Sequence, residues 1–293
     1  MKIATHNGSF HTDDVFAIAV LKELYPDAEF IRSRNEDVLA TADIVVDVGK
    51  VFDPKRQRFD HHQRQAGTRS NGIIYSGFGL IWQVYGLQFC QDNHDVWQRI
   101  DQELVQHIDA HDNGQKTYKV DHTGIEPYLI EDIIRLHNPS PVDDSEANSY
   151  DDHFFEAVEF ATFLLQRLKK KTLDAVQGEA TFLEAYSNSK DKRFVILDKA
   201  LPYKQRLSDM PELLYIIYPY ETGESWLVEA APIRPGSFES RQALPQAWRG
   251  LDIAKLREVT GVQDATFCHN TGFIAGAMSK EGALLLLEKA LNT

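Results

Sequence analysis

The stretch Asp43-Ile44-Val45-Val46-Asp47-Val48 decides the fold class of this 293-residue chain. Its apolar residues run almost without interruption, which is typical of a parallel β-strand buried on both faces of a sheet. A carboxylate beside such a strand is costly unless it is paired or coordinated. Asp47, at the strand's carboxyl end, is therefore a candidate functional residue, although a turn aspartate or a helix N-cap would also explain it.

The segments around this strand alternate between strand and helix patterns. Strand patterns occupy Lys2–Thr5, Glu29–Ser33 and Arg56–Asp60, the last of them antiparallel or peripheral. Helix patterns occupy Asp13–Tyr25, Ser76–Tyr85 and Trp97–Asp109. This alternation predicts an α/β fold with a mainly parallel sheet and helices on both of its faces.

The second half of the chain changes character after a polar segment at 138–152. Phe154–Tyr186 contains no proline and predicts one or two helices. Strand patterns then occupy Arg193–Leu197, Leu213–Tyr218, Trp226–Ala231 and Ala265–His269, and a final helix occupies Lys280–Leu291. We expect a catalytic domain over residues 1–150, a helical connection over 151–190 and a smaller α+β domain over 191–293.

Composition limits the function classes. The chain has 31 basic and 44 acidic residues and a net charge of −13, which argues against broad electrostatic binding to nucleic acid. A phosphate substrate is still compatible, because bound divalent cations would reverse the charge locally. Cys90 and Cys268 form no metal or redox motif and predict reduced thiols. With no signal core and no apolar run of about 20 residues, we expect a soluble, cytoplasmic protein.

Histidine and carboxylate residues recur where the predicted strands and helices end. His6, His11 and Asp13 share one loop between a strand and a helix. His61 and His62 are adjacent, so on an extended segment they point to opposite sides. One of the pair should bind a metal while the other contacts substrate, and the preceding Asp60 could orient an imidazole. Each cluster alone could be a solvated polar loop.

A fourth cluster lies near a predicted helix end. Asp109 and Asp112 are spaced i, i+3, so both can face one site, and His107 and His111 lie between and beside them. Asp109 is the better ligand candidate, but whether Asp112, His107 or His111 joins the site stays open.

Together the four clusters predict a site for two divalent metal ions and a metal-dependent hydrolase. Carboxylate and imidazole ligands without thiolate favour Mn²⁺, Mg²⁺ or Co²⁺, and Zn²⁺ remains an alternative. Asp13, Asp47 and Asp109 would contribute three negative charges against about four positive ones, which suits one additional hydroxide.

At these residues the sequence resembles the DHH phosphoesterase superfamily, which includes RecJ-type exonucleases and family II pyrophosphatases. It is more closely similar to the melanocyte proliferating gene family, whose members are described as metal-dependent protein hydrolases and, in eukaryotes, as RNA exonucleases. The similarity covers nearly the whole chain. The stretches that carry it are His6–Asp14, Asp47–Gln63 with its Asp60-His61-His62 motif, Asp109–Gly114, Pro245–Leu251 and His269–Leu284.

The resemblance implies roles for the matching residues. One metal would be held by His6, His11 and Asp47, and the other by Asp13, Asp47, His61 and Asp109, with Asp47 bridging. His62 would contact the scissile phosphate, and Asp60 and Asp47 would complete the catalytic set. The resemblance also implies a C-terminal substrate-binding domain across a cleft. Candidate phosphate contacts there are Arg241, Arg249, His269, Gly272 and Gly276, although both glycines could simply serve turns.

The function predicted is a metal-dependent phosphodiesterase, a 3′–5′ exonuclease on RNA or short oligonucleotides that uses a water activated by two metals, with Mn²⁺ as the first candidate. Hydrolysis of a small phosphate compound, such as pyrophosphate or a nucleotide, is the main alternative. A non-enzymatic metal-binding protein is a further one. Peptide hydrolysis is disfavoured, because the chain lacks a His-Glu-x-x-His motif. We expect no membrane partner and allow for a homodimer.

Overall fold

The computed structural model describes residues 1–63, 67–120, 122–140, 142, 150–220 and 222–293. The chain divides into two compact units, Met1–Leu173 and Asp174–Thr293, and each contains a five-stranded sheet. Most of the polar segment predicted at 138–152 lies outside the described residues. The domain boundaries at residues 150 and 190 stay predictions.

The first sheet is mainly parallel. Its strands are β1 (Lys2–Thr5), β2 (Glu29–Arg32), β3 (Ile44–Val46), β4 (Phe52–Asp53) and β5 (Arg58–Phe59), arranged in the order β2-β1-β3-β5-β4. Strands β2, β1, β3 and β5 are parallel, and β4 is antiparallel to β5. The prediction of an α/β fold is confirmed. Strand β5 was expected to be antiparallel or peripheral. It lies inside the sheet, where Arg58 and Phe59 pair in parallel with Val45 and Val46 of β3, and it is antiparallel only to the edge strand β4.

The helices of the first unit lie between these strands and after them. They are α1 (Thr12–Leu24), α2 (Glu36–Ala40), α3 (Gly77–Phe89), α4 (His94–Ile100), α5 (Gln106–Asp112) and α6 (Ile130–Arg135). Helix α1 is buried from Thr12 to Leu21, and its Phe16 ring lies 5.6 Å from that of Phe78 on α3. A π-helical turn at Asp101–Val105 separates α4 from α5, where the sequence predicted one uninterrupted helix.

Helix α7 (Tyr150–Asn188) has 39 residues and belongs partly to each unit. The sequence allowed one or two helices here, and the structure has one. Among the described residues, no helix combines the length and the apolar character that crossing a membrane requires.

The second unit is a mixed α+β structure. Strands β6 (Phe194–Ile196), β7 (Tyr215–Pro219), β8 (Trp226–Ala230), β9 (Ala265–Cys268) and β10 (Ile274–Ala277) follow the order β6-β7-β8-β10-β9. Only β6 and β7 pair in parallel. Helices α8 (Ile253–Thr260) and α9 (Lys280–Leu291) complete the unit. The core of this unit includes Val228, Trp248 and Leu286. Each unit contains one buried free cysteine, Cys90 in the first and Cys268 in the second.

Candidate metal centre

Asp47 lies at the centre of the candidate site, directly after β3. Its backbone nitrogen donates to the carbonyl of Phe59 at 3.0 Å, which continues the parallel pairing of β3 and β5 by one residue. Its φ angle is 55°, a left-handed conformation that is unfavourable for a residue with a Cβ atom. The side chain is only 2% exposed. Strained, buried carboxylates of this kind are typical of functional sites.

The loop between β1 and α1 brings two imidazoles close to Asp47. His6 Nε2 lies 3.4 Å from Asp47 Oδ2 and 3.1 Å from Asp14 Oδ2. Asp14 is fully buried, and its Oδ1 accepts hydrogen bonds from the backbone nitrogens of His11 and Val15, both at 2.9 Å. The two oxygens of Asp14 thus fix both the His6 ring and the start of α1. Asp14 was not predicted to have a role, although it lies next to Asp13.

The two histidines of the Asp60-His61-His62 motif both face Asp47. The prediction that they point to opposite sides is wrong, because the segment is not a strand and the two rings lie 4.4 Å apart. His61 Nε2 lies 3.2 Å from Asp47 Oδ1, and His62 Nδ1 lies 3.5 Å from the same oxygen. Asp60 is buried, and its Oδ1 lies 2.9 Å from His62 Nδ1, while its Oδ2 accepts a hydrogen bond from the Lys50 backbone. The His61 side chain is 8% exposed and that of His62 is 57% exposed. This difference leaves the His62 ring accessible to a substrate.

Asp13 and Asp112 complete the cluster. His61 Nε2 lies 3.8 Å from Asp13 Oδ2 and 3.2 Å from Asp112 Oδ2. Potential ligand atoms therefore fall into three overlapping groups, each within 4.8 Å: His6, His11 and Asp47; Asp47, His61 and His62; and Asp13, His61 and Asp112. Asp47 and His61 each belong to two groups. Most of the sequence-predicted ligands thus come together, although they lie on separate elements.

Asp109 is the exception. It is fully buried, and its Oδ2 accepts a hydrogen bond from Arg69 Nε at 2.8 Å. Its Oδ1 accepts from the Ser76 hydroxyl at 2.7 Å and from the Ser76 backbone nitrogen at 3.1 Å. Both oxygens are engaged by protein donors, and Asp112, three residues later, occupies the position facing His61 that was expected for Asp109.

The other two histidines of this segment also lie outside the three groups. His107 is exposed on α5. His111 Nε2 lies 3.1 Å from Thr117 Oγ1, and its ring stacks on Tyr118.

Burial and neighbouring charges shift the pKa values of several residues of the site. Burial lowers the pKa of His6, but hydrogen bonds and charge interactions with Asp14 and Asp47 outweigh it and raise the pKa to about 10. Burial raises the pKa of Asp47, but His6 and His61 outweigh it and lower the pKa to about 2. Burial and the nearby charges of Asp47 and Asp112 hold the pKa of Asp13 well above its ordinary range.

The raised pKa of Asp13 thus reflects its burial first, and then the carboxylates of Asp47 and Asp112 close to it.

The first turn of α3 packs closely against Asp13, Asp47 and Asp109. The Gly77 backbone nitrogen donates to Asp13 Oδ2 at 3.0 Å. A Cβ atom on Gly77 would lie 3.0 Å from the Asp47 Cβ atom, and one on Gly79 would lie 2.3 Å from Asp109 Oδ1. The helix therefore approaches three aspartates closely only because two of its first three residues are glycines. This contact was not predicted, although the two glycines of Ser76-Gly77-Phe78-Gly79 at the start of the helix indicate it.

The residues present fit divalent cations. The Oδ1 atom of Asp13 is buried and has no hydrogen-bond partner among the described residues, which is costly for a carboxylate. Imidazole nitrogens and carboxylate oxygens are the ligand types that Mn²⁺, Co²⁺ and Zn²⁺ accept. A cation beside Asp13, Asp47 and Asp112 would compensate both the burial of the Asp13 carboxylate and the repulsion between the three carboxylates, which together raise the pKa of Asp13.

The five predicted phosphate contacts lie in the second unit, where two of them have structural partners. The Arg241 guanidinium donates to the carbonyls of Leu207 at 2.8 Å and Leu213 at 3.1 Å, among others. The Arg249 guanidinium donates twice to the carbonyl of Leu244, at 2.9 and 2.7 Å. These bonds to backbone carbonyls explain the positions of both guanidinium groups without a bound phosphate.

His269, Gly272 and Gly276 lie in or beside the β9–β10 hairpin. The Gly272 nitrogen donates to the His269 carbonyl at 2.9 Å, and the φ angle of 74° at Gly272 is one that glycine readily adopts. His269 is exposed, and its Nδ1 lies 2.9 Å from Thr271 Oγ1. Gly276 lies inside β10, where a Cβ atom would lie 2.6 Å from the Phe267 ring. The backbone conformation and the close packing thus explain why glycine occupies positions 272 and 276, while the His269 ring remains accessible to a ligand.

Comparison with known proteins identifies the class. The model of the MYG1_exonuc family, described as "Uncharacterised protein family (UPF0160)", matches residues 2–291. The chain belongs to this family, which confirms the resemblance found in the sequence.

Individual relatives match along their length. A MYG1 protein of Schizosaccharomyces pombe is 31% identical and is covered over 98% of its length, with 100% of this chain aligned. The human protein named MYG1 exonuclease is 33% identical, with 99% of this chain and 85% of the human chain aligned. These relatives support the prediction that the chain is a hydrolase. A pGpG-specific phosphodiesterase from Vibrio cholerae aligns over 99% of this chain and 96% of its own, but with 14% identity and a TM-score of 0.32 the similarity is too low to compare details.

Proposed function

We propose that this protein is a metal-dependent phosphodiesterase that acts as a 3′–5′ exonuclease on RNA or short oligonucleotides. The observation that carries the proposal is the convergence of three overlapping groups of histidine and aspartate ligand atoms on Asp47 and His61. Relatives named exonucleases support the same class of reaction. The natural substrate and the direction of degradation belong to the proposal.

Two divalent cations, with Mn²⁺ as the first candidate, fit the ligand groups. His6, His11 and Asp47 would hold one ion, and Asp13, His61 and Asp112 would hold the other, with Asp47 near both. Bound there, the ions would supply Lewis acidity and the positive charge that a phosphoryl-transfer transition state requires. Asp112 replaces Asp109 in this assignment, because the oxygens of Asp109 are already hydrogen-bonded to Arg69 and Ser76.

His62 is the residue proposed to contact the scissile phosphate. Its hydrogen bond with Asp60 raises its pKa, so the ring is more readily protonated than a free histidine. Because Nδ1 faces Asp60, the opposite nitrogen Nε2 is the one that can donate to a phosphate oxygen. Asp60 therefore orients the ring and stabilises its positive charge.

The test is hydrolysis of oligoribonucleotides blocked at the 3′ or the 5′ end, alongside pyrophosphate and mononucleotides. The protein is first stripped with a chelator and then supplied with Mn²⁺, Mg²⁺ or Zn²⁺. We expect no turnover without metal, turnover restored by Mn²⁺, and protection of the RNA by a 3′ block but not by a 5′ block.

Variants separate the site from the fold. Asp47→Asn and Asp112→Asn should each lower kcat/KM by at least about a hundredfold, the upper range seen when supporting groups at metal sites are lost. Asp43→Asn is the matched control, because Asp43 is an exposed aspartate at the opposite end of β3 and should leave turnover unchanged. Full activity in the presence of chelator, or in folded Asp47→Asn, would reject the proposal.

Hydrolysis of a small phosphate compound is the second candidate. The net charge of −13 favours it, because a long polyanion is repelled by the surface outside the site. This activity would be supported if kcat/KM were highest for pyrophosphate or a mononucleotide and fell with every added nucleotide. A homodimer and a cytoplasmic location stay predictions.

A further inference from the structure

Arg69 joins two buried carboxylates that lie eight residues apart in sequence. Its Nε donates to Asp109 Oδ2 at 2.8 Å, and its Nη1 donates to Asp101 Oδ2, also at 2.8 Å. The side chain is 10% exposed, and the guanidinium carbon lies 4.5 Å from the centre of the Tyr75 ring. A planar guanidinium with three such neighbours holds one orientation, which the flexible, single-point charge of lysine cannot reproduce.

The two carboxylates lie on either side of a change in helix geometry. Asp101 begins the π-helical turn Asp101–Val105, in which the Gln106 nitrogen donates back to the Asp101 carbonyl. Asp109 lies in the following helix α5. A π turn inserts an extra residue and rotates the helix after it, and such turns are frequent at functional sites. Arg69 thus connects the first residue of the π turn to the helix that follows it.

The rotation of α5 decides which of its carboxylates faces the site. Asp109 turns toward Arg69 and Ser76, and Asp112 turns toward His61, where its Oδ2 lies 3.2 Å from His61 Nε2. A change in the rotation of α5 would move Asp112 away from His61 and Asp13.

Arg69 also lies on the segment that follows the Asp60-His61-His62 motif. Residues 67–75 form a short hairpin, in which the Arg69 nitrogen donates to the carbonyl of Ile73 at 2.7 Å. Further bonds fasten this hairpin to α5 and the residues after it. They are Asn71 Nδ2 to Gln106 at 2.8 Å, Asn113 Nδ2 to the Ile74 carbonyl at 3.2 Å and Gln115 Nε2 to the Gly72 carbonyl at 3.0 Å. Arg69 is the charged member of this set.

We propose that Arg69 is a positioning residue for the candidate metal centre: through Asp109 and Asp101 it fixes the rotation of α5 and so holds Asp112 against His61 and Asp13. Arg69 itself contacts no member of the three ligand groups in the described part of the chain. This inference rests on the proposed function, because it assumes that Asp13, His61 and Asp112 bind a divalent cation.

The experiment measures Mn²⁺ binding to chelator-stripped protein by calorimetry, with unfolding temperature recorded separately in chelator. Arg69→Lys keeps the positive charge but loses the two-carboxylate bridge. We expect it to weaken one of two Mn²⁺ sites by at least tenfold and leave the other within about threefold. Arg206→Lys, at an exposed arginine paired with Asp209, is the matched control and should bind both ions as the unaltered protein does.

A double variant tests whether Arg69 acts through Asp109. If it does, Arg69→Lys combined with Asp109→Asn should weaken Mn²⁺ binding no more than the stronger of the single variants. If Arg69→Lys does not fold, Asp101→Asn provides the second route, because it removes the outer anchor and leaves Asp109 paired with Arg69. The same site should then weaken.

The outcomes are distinct. If the unaltered protein binds no divalent cation, the proposed function fails. If it binds two and the folded Arg69→Lys or Asp101→Asn protein binds both with unchanged affinity, only the positioning role is overturned. Equal weakening of both sites, or additive effects in the double variant, would also overturn it.

Discussion

Asp47 combines three features at one residue: burial, a left-handed backbone and two imidazoles from separate parts of the chain. His6 and His61 lie on opposite oxygens of its carboxylate, at 3.4 and 3.2 Å. Without a bound cation, a proton on His6 compensates the charges of Asp14 and Asp47, and these two carboxylates are the reason for the high pKa of His6. A bound cation requires the neutral imidazole instead, so metal and proton compete for the same residue.

The pH dependence of stability in chelator follows from the pKa of His6. Folding raises this pKa from about 6.5 to about 10, so the stabilisation is complete below pH 6.5 and is lost as the pH rises toward 10. We expect the urea midpoint of the metal-free protein to fall over this interval. His6→Gln should flatten the curve, because glutamine does not titrate. Parallel curves for the two proteins would contradict the assignment.

At the scale of elements, α3 supports the site through its first turn. Ser76 caps the helix, Gly77 donates to Asp13, and Gly79 leaves room for the carboxylate of Asp109. Because the first backbone nitrogens of a helix lack partners within the helix, carboxylates are favourable there. The α3 N-terminus thus stabilises a part of the site that has excess negative charge.

Gly79→Ala tests this close approach. Alanine in a helix is ordinarily about 1 kcal/mol more favourable than glycine. Here its Cβ atom would lie 2.3 Å from Asp109 Oδ1, so the backbone or Asp109 must move. We expect a loss of about 1–3 kcal/mol in the free energy of unfolding, as for other overpacked buried positions. The measurement is urea unfolding followed by circular dichroism.

Val84→Ala on the same helix is the control, because Val84 is 42% exposed and should tolerate alanine with little change. Equal stability of Gly79→Ala and the unaltered protein would show that Asp109 can move without cost.

The elements also show what the sequence could predict. The sequence predicted β1, β2 and β3 to within about two residues. The pattern is strongest for β3, because its three residues are apolar and buried. Strand β2 lies at the edge of the sheet and is only partly buried. Strand β10 was missed, since Ile274-Ala275-Gly276-Ala277 contains small residues whose place is set by pairing with β8 and β9. Arg241 was expected to bind phosphate as part of a C-terminal substrate-binding domain. Its carbonyl partners in the structure lie about 30 residues away, so no local pattern in the sequence predicts them.

The choice between Asp109 and Asp112 shows the same limit for the site. An i, i+3 spacing places both carboxylates on one side of a helix, so the sequence alone could not separate them. In the structure the two aspartates differ because Asp109 is bonded to Arg69, which lies 40 residues away in the sequence. A π turn also interrupts the predicted helix before them.

At the scale of the whole molecule, charge is the dominant property. A net charge of −13 gives a repulsive field for nucleic acid, whereas most proteins that follow an RNA backbone are basic. If RNA is the substrate, as proposed, its attraction must come from the site itself, over a range of about 10 Å at moderate salt. Only the nucleotides nearest the scissile bond would contribute to binding.

The salt dependence of KM tests this conclusion. A nuclease with several phosphate contacts binds more weakly by orders of magnitude when salt rises from about 50 to about 200 mM. For this protein we expect KM to change less than about threefold over that range, and to be no lower for a twenty-residue RNA than for a five-residue RNA. The measurement is initial rates with Mn²⁺ present throughout. A steep rise of KM with salt would reveal a basic track along the RNA.

The two sulfhydryl groups offer an experimental use. Burial raises the pKa of Cys90 to about 12 and that of Cys268 to about 11, so neither forms the nucleophilic thiolate while its surroundings stay closed. One belongs to each compact unit. The rate of alkylation at each cysteine therefore reports how often the surrounding unit opens, and the two rates can be measured separately.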